Sequence, residues 1–177
     1  MSSQSLYPSI ALALLSAVFA PNAQAQECGC LPYEDRSTVV LTDNAGSGTG
    51  TQTLSCDNIY LLEGFVYVNE GDVLTIEPGT VIQAKAGQGP SASCLIVARG
   101  AQILADGTAS CPIIFTYEGD PLNGSTPYNT RGLWGGVIVN GYGVLNTYDG
   151  DDLAEGIMDP SNNGRDVYGG EDNAESS

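Results

Sequence analysis

Histidine is absent from the 177 residues. That absence excludes Ser-His-Asp and Cys-His nucleophilic systems and histidine-ligated zinc, because each needs an imidazole as base or ligand. Basic residues are almost as scarce, with Lys85 and four arginines set against 21 acidic residues for a formal charge of −16. A surface of that sign repels phosphate backbones and anionic headgroups, which excludes nucleic acid and anionic membrane as partners. Carboxylates in such excess have three readings: a solvated, self-repelling surface, sites for divalent cations, or adaptation to salty surroundings. Composition does not separate them, and the solvated surface is the simplest.

What the chain does have is self-similarity. Val66-Tyr67-Val68-Asn69-Glu70-Gly71-Asp72-Val73-Leu74 and Leu95-Ile96-Val97-Ala98-Arg99-Gly100-Ala101-Gln102-Ile103 lie about 29 residues apart, each an apolar strand, a glycine turn and a second strand. The copies run on in parallel, Ile76-Glu77-Pro78-Gly79-Thr80-Val81-Ile82 against Ala105-Asp106-Gly107-Thr108 and, after a small insertion, Pro112-Ile113-Ile114-Phe115, and a third copy begins at Val137-Ile138-Val139-Asn140-Gly141. Repeats of this length, built from β-branched runs without helical spacing, mark a solenoid whose units bury their apolar faces by stacking on one another. The expected fold is all-β, a parallel coil of strands with Val, Ile and Leu stacked inside.

The first 25 residues carry no charged side chain, and the apolar run Ile10–Ala20 is too short to span a bilayer comfortably. It leads to Ala23-Gln24-Ala25, a small-residue cleavage site, so residues 1–25 read as a secretory signal and the mature chain starts at Gln26. The n-region lacks Lys and Arg, which keeps a membrane anchor as the alternative. Cys28 follows Gln26-Glu27 where a lipobox needs small residues, so lipid attachment is rejected.

Five cysteines in an exported chain imply oxidised pairs with one thiol over. Cys94 and Cys111 both sit at strand entrances about one turn of the coil apart, so the favoured bridge is Cys94 with Cys111. Cys28, Cys30 and Cys56 precede the clear repeats, and Cys56 has either of the other two as its partner. Cys28-Gly29-Cys30 also matches half of a metal or redox site, a weaker signal than a structural disulfide.

Four segments follow. Residues 1–25 are the signal; 26–57 form an N-terminal cap with one strand at Thr38–Leu41 and a flexible Gly/Ser run at 44–50; 58–147 form the coils; 148–177 are an acidic Gly/Asp-rich loop. Between Tyr117 and Arg131 lies an insertion rich in Gly, Pro, Asn and Thr, the kind that makes a binding loop on one side of a solenoid. Beyond Leu145 the chain is strongly acidic with a single Arg165, no strand pattern resumes, and the expectation is that further coils follow in a longer parent protein.

Few motifs carry chemistry. Lys85 beside Gly87 reads as a solvated turn residue, and no tight group of acids accompanies Lys85, Arg99 or Arg131. Asp159, Ser161 and Asn163, followed by Gly164, have the alternating oxygen spacing of a calcium loop, although its closing acid is out of step because Glu171 comes one residue late. Asp149, Asp151 and Asp152, with Glu155, add a second cluster of hard ligands, so calcium is the one candidate ion, set against a merely solvated acidic loop, and no other cofactor is implied. Trp134, the only tryptophan, sits in Arg131-Gly132-Leu133-Trp134-Gly135-Gly136. With Arg131, Tyr128 and Tyr142 it forms the candidate glycan-contact set, since an exposed indole stacks on sugar rings. The alternative is that Trp134 packs over a coil corner where glycines let backbones approach.

Taken together, Leu62–Val68, Leu74–Ile82, Ala92–Gly100, Pro112–Thr116 and Arg131–Ile138 resemble a family of secreted, right-handed parallel β-helix proteins, the pectate-lyase-like solenoids of Bacteroidota-like bacteria. The resemblance spans about residues 58–177. It implies the right-handed coil, export, further coils, and in many relatives a C-terminal sorting domain; the closing Tyr168–Asn173 is similar to the acidic loop before a next strand. It carries no catalytic residue to any position here. The function expected is a non-catalytic secreted or cell-surface scaffold, adhesive, with an extracellular glycan or cell-surface component as partner; the alternative is a polysaccharide lyase or hydrolase domain.

Overall fold

A computed structural model describes residues 28–146, 150–156 and 164–170. Ten strands wind through three faces: β1 (Ser37–Leu41), β2 (Gln52–Leu54), β3 (Asn58–Leu62), β4 (Phe65–Val68), β5 (Val73–Ile76), β6 (Val81–Ala84), β7 (Cys94–Val97), β8 (Gln102–Ala105), β9 (Ile114–Tyr117) and β10 (Gly136–Val139). Face 1 has the order β1-β3-β6-β9, face 2 β4-β7-β10 and face 3 β2-β5-β8, and every pairing among them is parallel. A chain that visits three faces in turn and pairs only with the coil above and below is a parallel β-helix.

The spacing read from the sequence is the pairing register. Val66 pairs with Leu95 and Val73 with Gln102, each 29 residues on, and Leu95 pairs in turn with Val137. Both copies turn at glycine for a backbone reason: Gly71 and Gly100 have φ of 84° and 75°, a region that L side chains avoid, and Gly71 N–H donates to Gly100 O at 3.0 Å.

Side chains alternate in and out along each strand, and the inward positions stack in columns. Val66, Val68, Leu95 and Val97 from face 2, Leu54, Leu74 and Ile76 from face 3, and Tyr60, Leu62, Ile82 and Ala84 from face 1 form one core. Each aliphatic side chain buried there stabilises the coil by roughly 1.5–3 kcal/mol. The columns end at β10, where Val137 and Val139 continue the inward register yet are 38% and 63% exposed, because no described segment stacks on them.

The stack already begins inside the 26–57 segment, since β1 pairs with β3 and β2 with β5. The run expected to be flexible, 44–50, is instead held against β4: Thr49 N–H donates to Tyr67 O at 2.7 Å, and Asn69 Nδ2 donates to Gly46 O. Gly48 makes the approach possible, because a Cβ there would stand 2.6 Å from Tyr67 O.

The disulfides are Cys28–Cys111 and Cys30–Cys56, which corrects the expected Cys94–Cys111 bridge; of the two partners open to Cys56, Cys30 is the one it takes. Cys94 opens β7 on the outer side of face 2, whereas Cys111 lies at the corner that enters face 1, so the two thiols belong to different sides of the coil. Cys56 and Cys111 mark corners before β3 and β9, and Pro78-Gly79 marks the corner before β6 between them. The N-terminal strap runs along all three, with Arg36 Nη1 donating to Gly79 O at 3.0 Å.

The acidic segment also departs from expectation. It forms β11 (Asp151–Leu153) and β12 (Val167–Gly169), paired antiparallel. The missed signal is short strands of low apolar content. Together they lie over the outer side of face 2, where Tyr67, Cys94 and Ile96 form a second buried cluster with Ala154 packed against it.

Two stability measurements check this account. Gly48→Ala is expected to cost about 2 kcal/mol through the forced φ and the clash with β4, read as a lower denaturant midpoint with an unchanged slope. Cys28→Ser with Cys111→Ser, which opens a loop of 83 residues' separation, is expected to cost roughly 2–5 kcal/mol, read by the same unfolding curves.

Candidate functional site

The insertion between β9 and β10 forms a loop beside the Trp134 corner. Asp120 organises it: its carboxylate accepts from Thr116 Oγ1 at 2.6 Å, Thr126 Oγ1 at 2.9 Å and Leu122 N at 3.1 Å. These bonds, the Thr116 hydroxyl foremost, hold its pKa below the usual carboxylate range, so Asp120 stays ionised. Trp134, half-buried, packs against the core cluster from this corner. Its flanking glycines serve close approach, since a Cβ at Gly135 would stand 2.8 Å from Cys94 Cβ.

Two cavities meet at this indole. One, of about 320 Å³, is lined by Phe65, Gln88, Cys94, Trp134, Ile138 and Glu155, with glycines 87, 89, 132, 135 and 156 in its walls. The other, of about 240 Å³, is lined by Tyr117, Asp120, Thr126, Thr130, Arg131 and Trp134 among others. Trp134 and Gly132 belong to both. The indole is thus at once a core-packing residue and a cavity wall, and the two readings of the sequence are compatible.

Of the candidate glycan contacts, the fold brings Trp134 and Arg131 together. Tyr128 stands fully exposed on the insertion and lines neither cavity. Tyr142 is elsewhere: its ring lies 5.3 Å from the Arg99 guanidinium carbon and its hydroxyl faces Glu70. Phe65, Gln88 and Asp120 were missed as site residues, and Glu155 was read only as an oxygen ligand of the acidic cluster. They come from different coils, and no local motif marks them.

Arg165 is the other residue whose role only the fold reveals. Its guanidinium stacks 3.8 Å from the centre of the Tyr67 ring and grips both carboxylate oxygens of Asp43 at 2.7 and 2.8 Å, with Asn69 Oδ1 at 3.1 Å. Neighbouring Asp166 is buried and accepts from the Tyr67 hydroxyl at 2.7 Å. One arginine therefore ties the cap loop, the outer side of face 2 and the acidic segment together. Beneath it Cys94, the fifth cysteine, is a free buried thiol, pushed up to about 12 by burial and then by the Asp166 charge.

Of the calcium candidates, Asp149, Asp159, Ser161 and Asn163 lie outside the described residues. Asp151 stands 3.9 Å from Arg99 Nη1, and Asp152 Oδ1 accepts from Leu153 N. Among the described residues no three acidic or cysteine side chains converge as a metal site. Lys85, expected as a solvated turn residue, pairs with Glu63 at 2.8 Å and is half-exposed. The register places Glu118 of the next coil after Tyr117 as Lys85 follows Ala84.

The family model described as a pectate-lyase like beta helix domain matches residues 46–177. No curated protein and no solved structure matches the chain.

A buried, protonated thiol is unreactive, because the thiolate is the nucleophile. With the disulfides intact, Cys94 is expected to resist iodoacetamide at pH 8 in the folded protein and to be alkylated once the chain is unfolded in denaturant, as counted by intact mass. Rapid modification under native conditions would mean that the acidic segment does not cover face 2.

Proposed function

Because this chain belongs to the family of pectate-lyase like beta helix domains, we propose that it is an exported, non-catalytic β-helix shaft that presents the Trp134 corner to extracellular glycans. The observation that carries the reading is the meeting of two cavities at a single half-buried indole, with Arg131, Asp120, Gln88 and Glu155 as polar groups around it. Apolar walls with a few placed polar groups are the usual make-up of small-ligand sites, and an aromatic face suits the C–H face of a sugar ring. Export is supported by the leader-like residues 1–25 and by the two disulfides, which persist in oxidising compartments. Adhesion follows as the role of a rigid shaft with a glycan-binding corner.

Most of the cations have other work. Lys85 is paired with Glu63, Arg165 with Asp43, Arg36 binds the carbonyls of Leu31 and Gly79, and Arg99 binds the carbonyl of Gly169. One arrangement favours the second reading, a lyase or hydrolase. Glu63, Lys85 and Glu118 follow one another at the same corner of successive coils, and lyases need a base near carboxylates. None of the three lines the cavities at Trp134.

Affinity electrophoresis in gels containing extracellular polysaccharides tests the proposal. Trp134→Ala is expected to weaken retention about tenfold, the loss of an aromatic contact of roughly 1–1.5 kcal/mol, with Trp134→Phe retaining most of it and Tyr142→Ala without effect. Release of new reducing or unsaturated ends from the same polysaccharides, abolished by Lys85→Ala, would replace this reading with the enzyme.

A further inference from the structure

The charges around Trp134 carry the reading one step further, from glycan to a class of glycan. The first cavity holds a single charged side chain, the carboxylate of Glu155, together with the amide of Gln88, the rings of Phe65 and Trp134, and glycine backbone. The second holds one cation, Arg131, whose Nε is already donating to Asn129 O at 3.2 Å, and Asp120 lines the same cavity. Asp120 is held ionised by its three hydrogen bonds, so the second cavity carries one charge of each sign. Across both cavities carboxylates outnumber cations, and the whole chain adds a field of −16.

A polyuronate brings one carboxylate per sugar, and across both cavities Arg131 is the one lining cation to meet them, against the carboxylates of Asp120 and Glu155. Like-charge juxtaposition of this kind rejects a ligand more effectively than missing contacts do. A neutral sugar meets no such penalty. Its hydroxyls donate to Glu155 and Asp120, its ring oxygens and hydroxyls accept from Gln88 and Arg131, and its apolar face lies on an indole whose N–H has no partner among the described residues. The glycines of the first cavity let a ring approach the backbone, and the shared Trp134 and Gly132 make the two cavities consecutive positions for one oligosaccharide.

We propose that the Trp134 site takes an uncharged, hydroxyl-rich oligosaccharide and discriminates against uronate chains, using Glu155 and Asp120 as the repelling groups. The proposal rests on the glycan-binding reading above. Trp134 is the sole tryptophan, so its fluorescence reports this site alone. The purified chain is titrated with neutral hexasaccharides of gluco, manno and xylo configuration and with hexagalacturonate, each with chelator and with added calcium.

The expected result is a saturable change with at least one neutral hexasaccharide and at least tenfold weaker binding of hexagalacturonate, the gap narrowing at high salt and in Glu155→Gln. Hexagalacturonate bound as tightly as the neutral sugars, with or without calcium, would overturn the discrimination while leaving glycan binding in place. No change with any of the sugars, repeated by calorimetry on wild type and Trp134→Ala, would overturn both.

Discussion

Each described coil buries its inward apolar side chains by stacking on the coil before and the coil after it. That constraint sets the rest. Val66 and Val68 are fully buried because Leu95 and Val97 stand beside them in register, and Val137 and Val139 in the same columns are partly bare because no described coil follows. Stability in such a stack is close to a sum of coil terms and neighbour contacts, so the ends are weaker than the middle. The N-terminal strap answers this at one end. Its two disulfides reach past the first coil, to corners before β3 and β9, and Arg36 bonds Gly79 O at the corner between, so the cap is fastened at three successive turns.

A solenoid face also has an outside, and here one outside is covered. The acidic segment lies over face 2 although its composition opposes burial, and a single arginine reconciles the two. Arg165 supplies the positive charge that Asp43 requires, a ring contact to Tyr67 and a hydrogen bond to Asn69. Breaking one partner of a partly buried pair leaves the other uncompensated, which is why this clasp joins distant parts of the chain more firmly than surface pairs do. The thiol of Cys94 and the Trp134 corner both inherit their surroundings from it, since Ala154 packs on the Cys94 cluster and Glu155 reaches the neighbouring cavity.

The fold was legible in the sequence because its period is written in residues that must match. Val66 and Leu95, Gly71 and Gly100, Ile82 and Phe115 occupy equal places on successive coils, and the same side chains that repeat are those that stack. Handedness is not expressed in that repeat and came from resemblance. The disulfides were misread because spacing along the chain says nothing of which side of a coil a thiol faces: Cys94 looked outward from face 2 and Cys111 toward the strap. The loop at 44–50 looked flexible from its glycines, yet Gly48 is there to let the backbone reach Tyr67. The site was half legible. Trp134 and Arg131 are adjacent in sequence and stay together, whereas Phe65, Gln88, Asp120 and Glu155 converge only through coil stacking and the folded-back acidic segment.

Amide hydrogen exchange tests the stacked-coil account most directly. Central strands with a coil on both sides, β3, β6, β7 and β5, are expected to exchange slowest, with β1 and β10 opening earlier and the amides of 44–50 protected by their bonds to β4. Uniform protection from β1 to β10, or strong protection of β10 above β7, would contradict the claim that each coil is held by its neighbours.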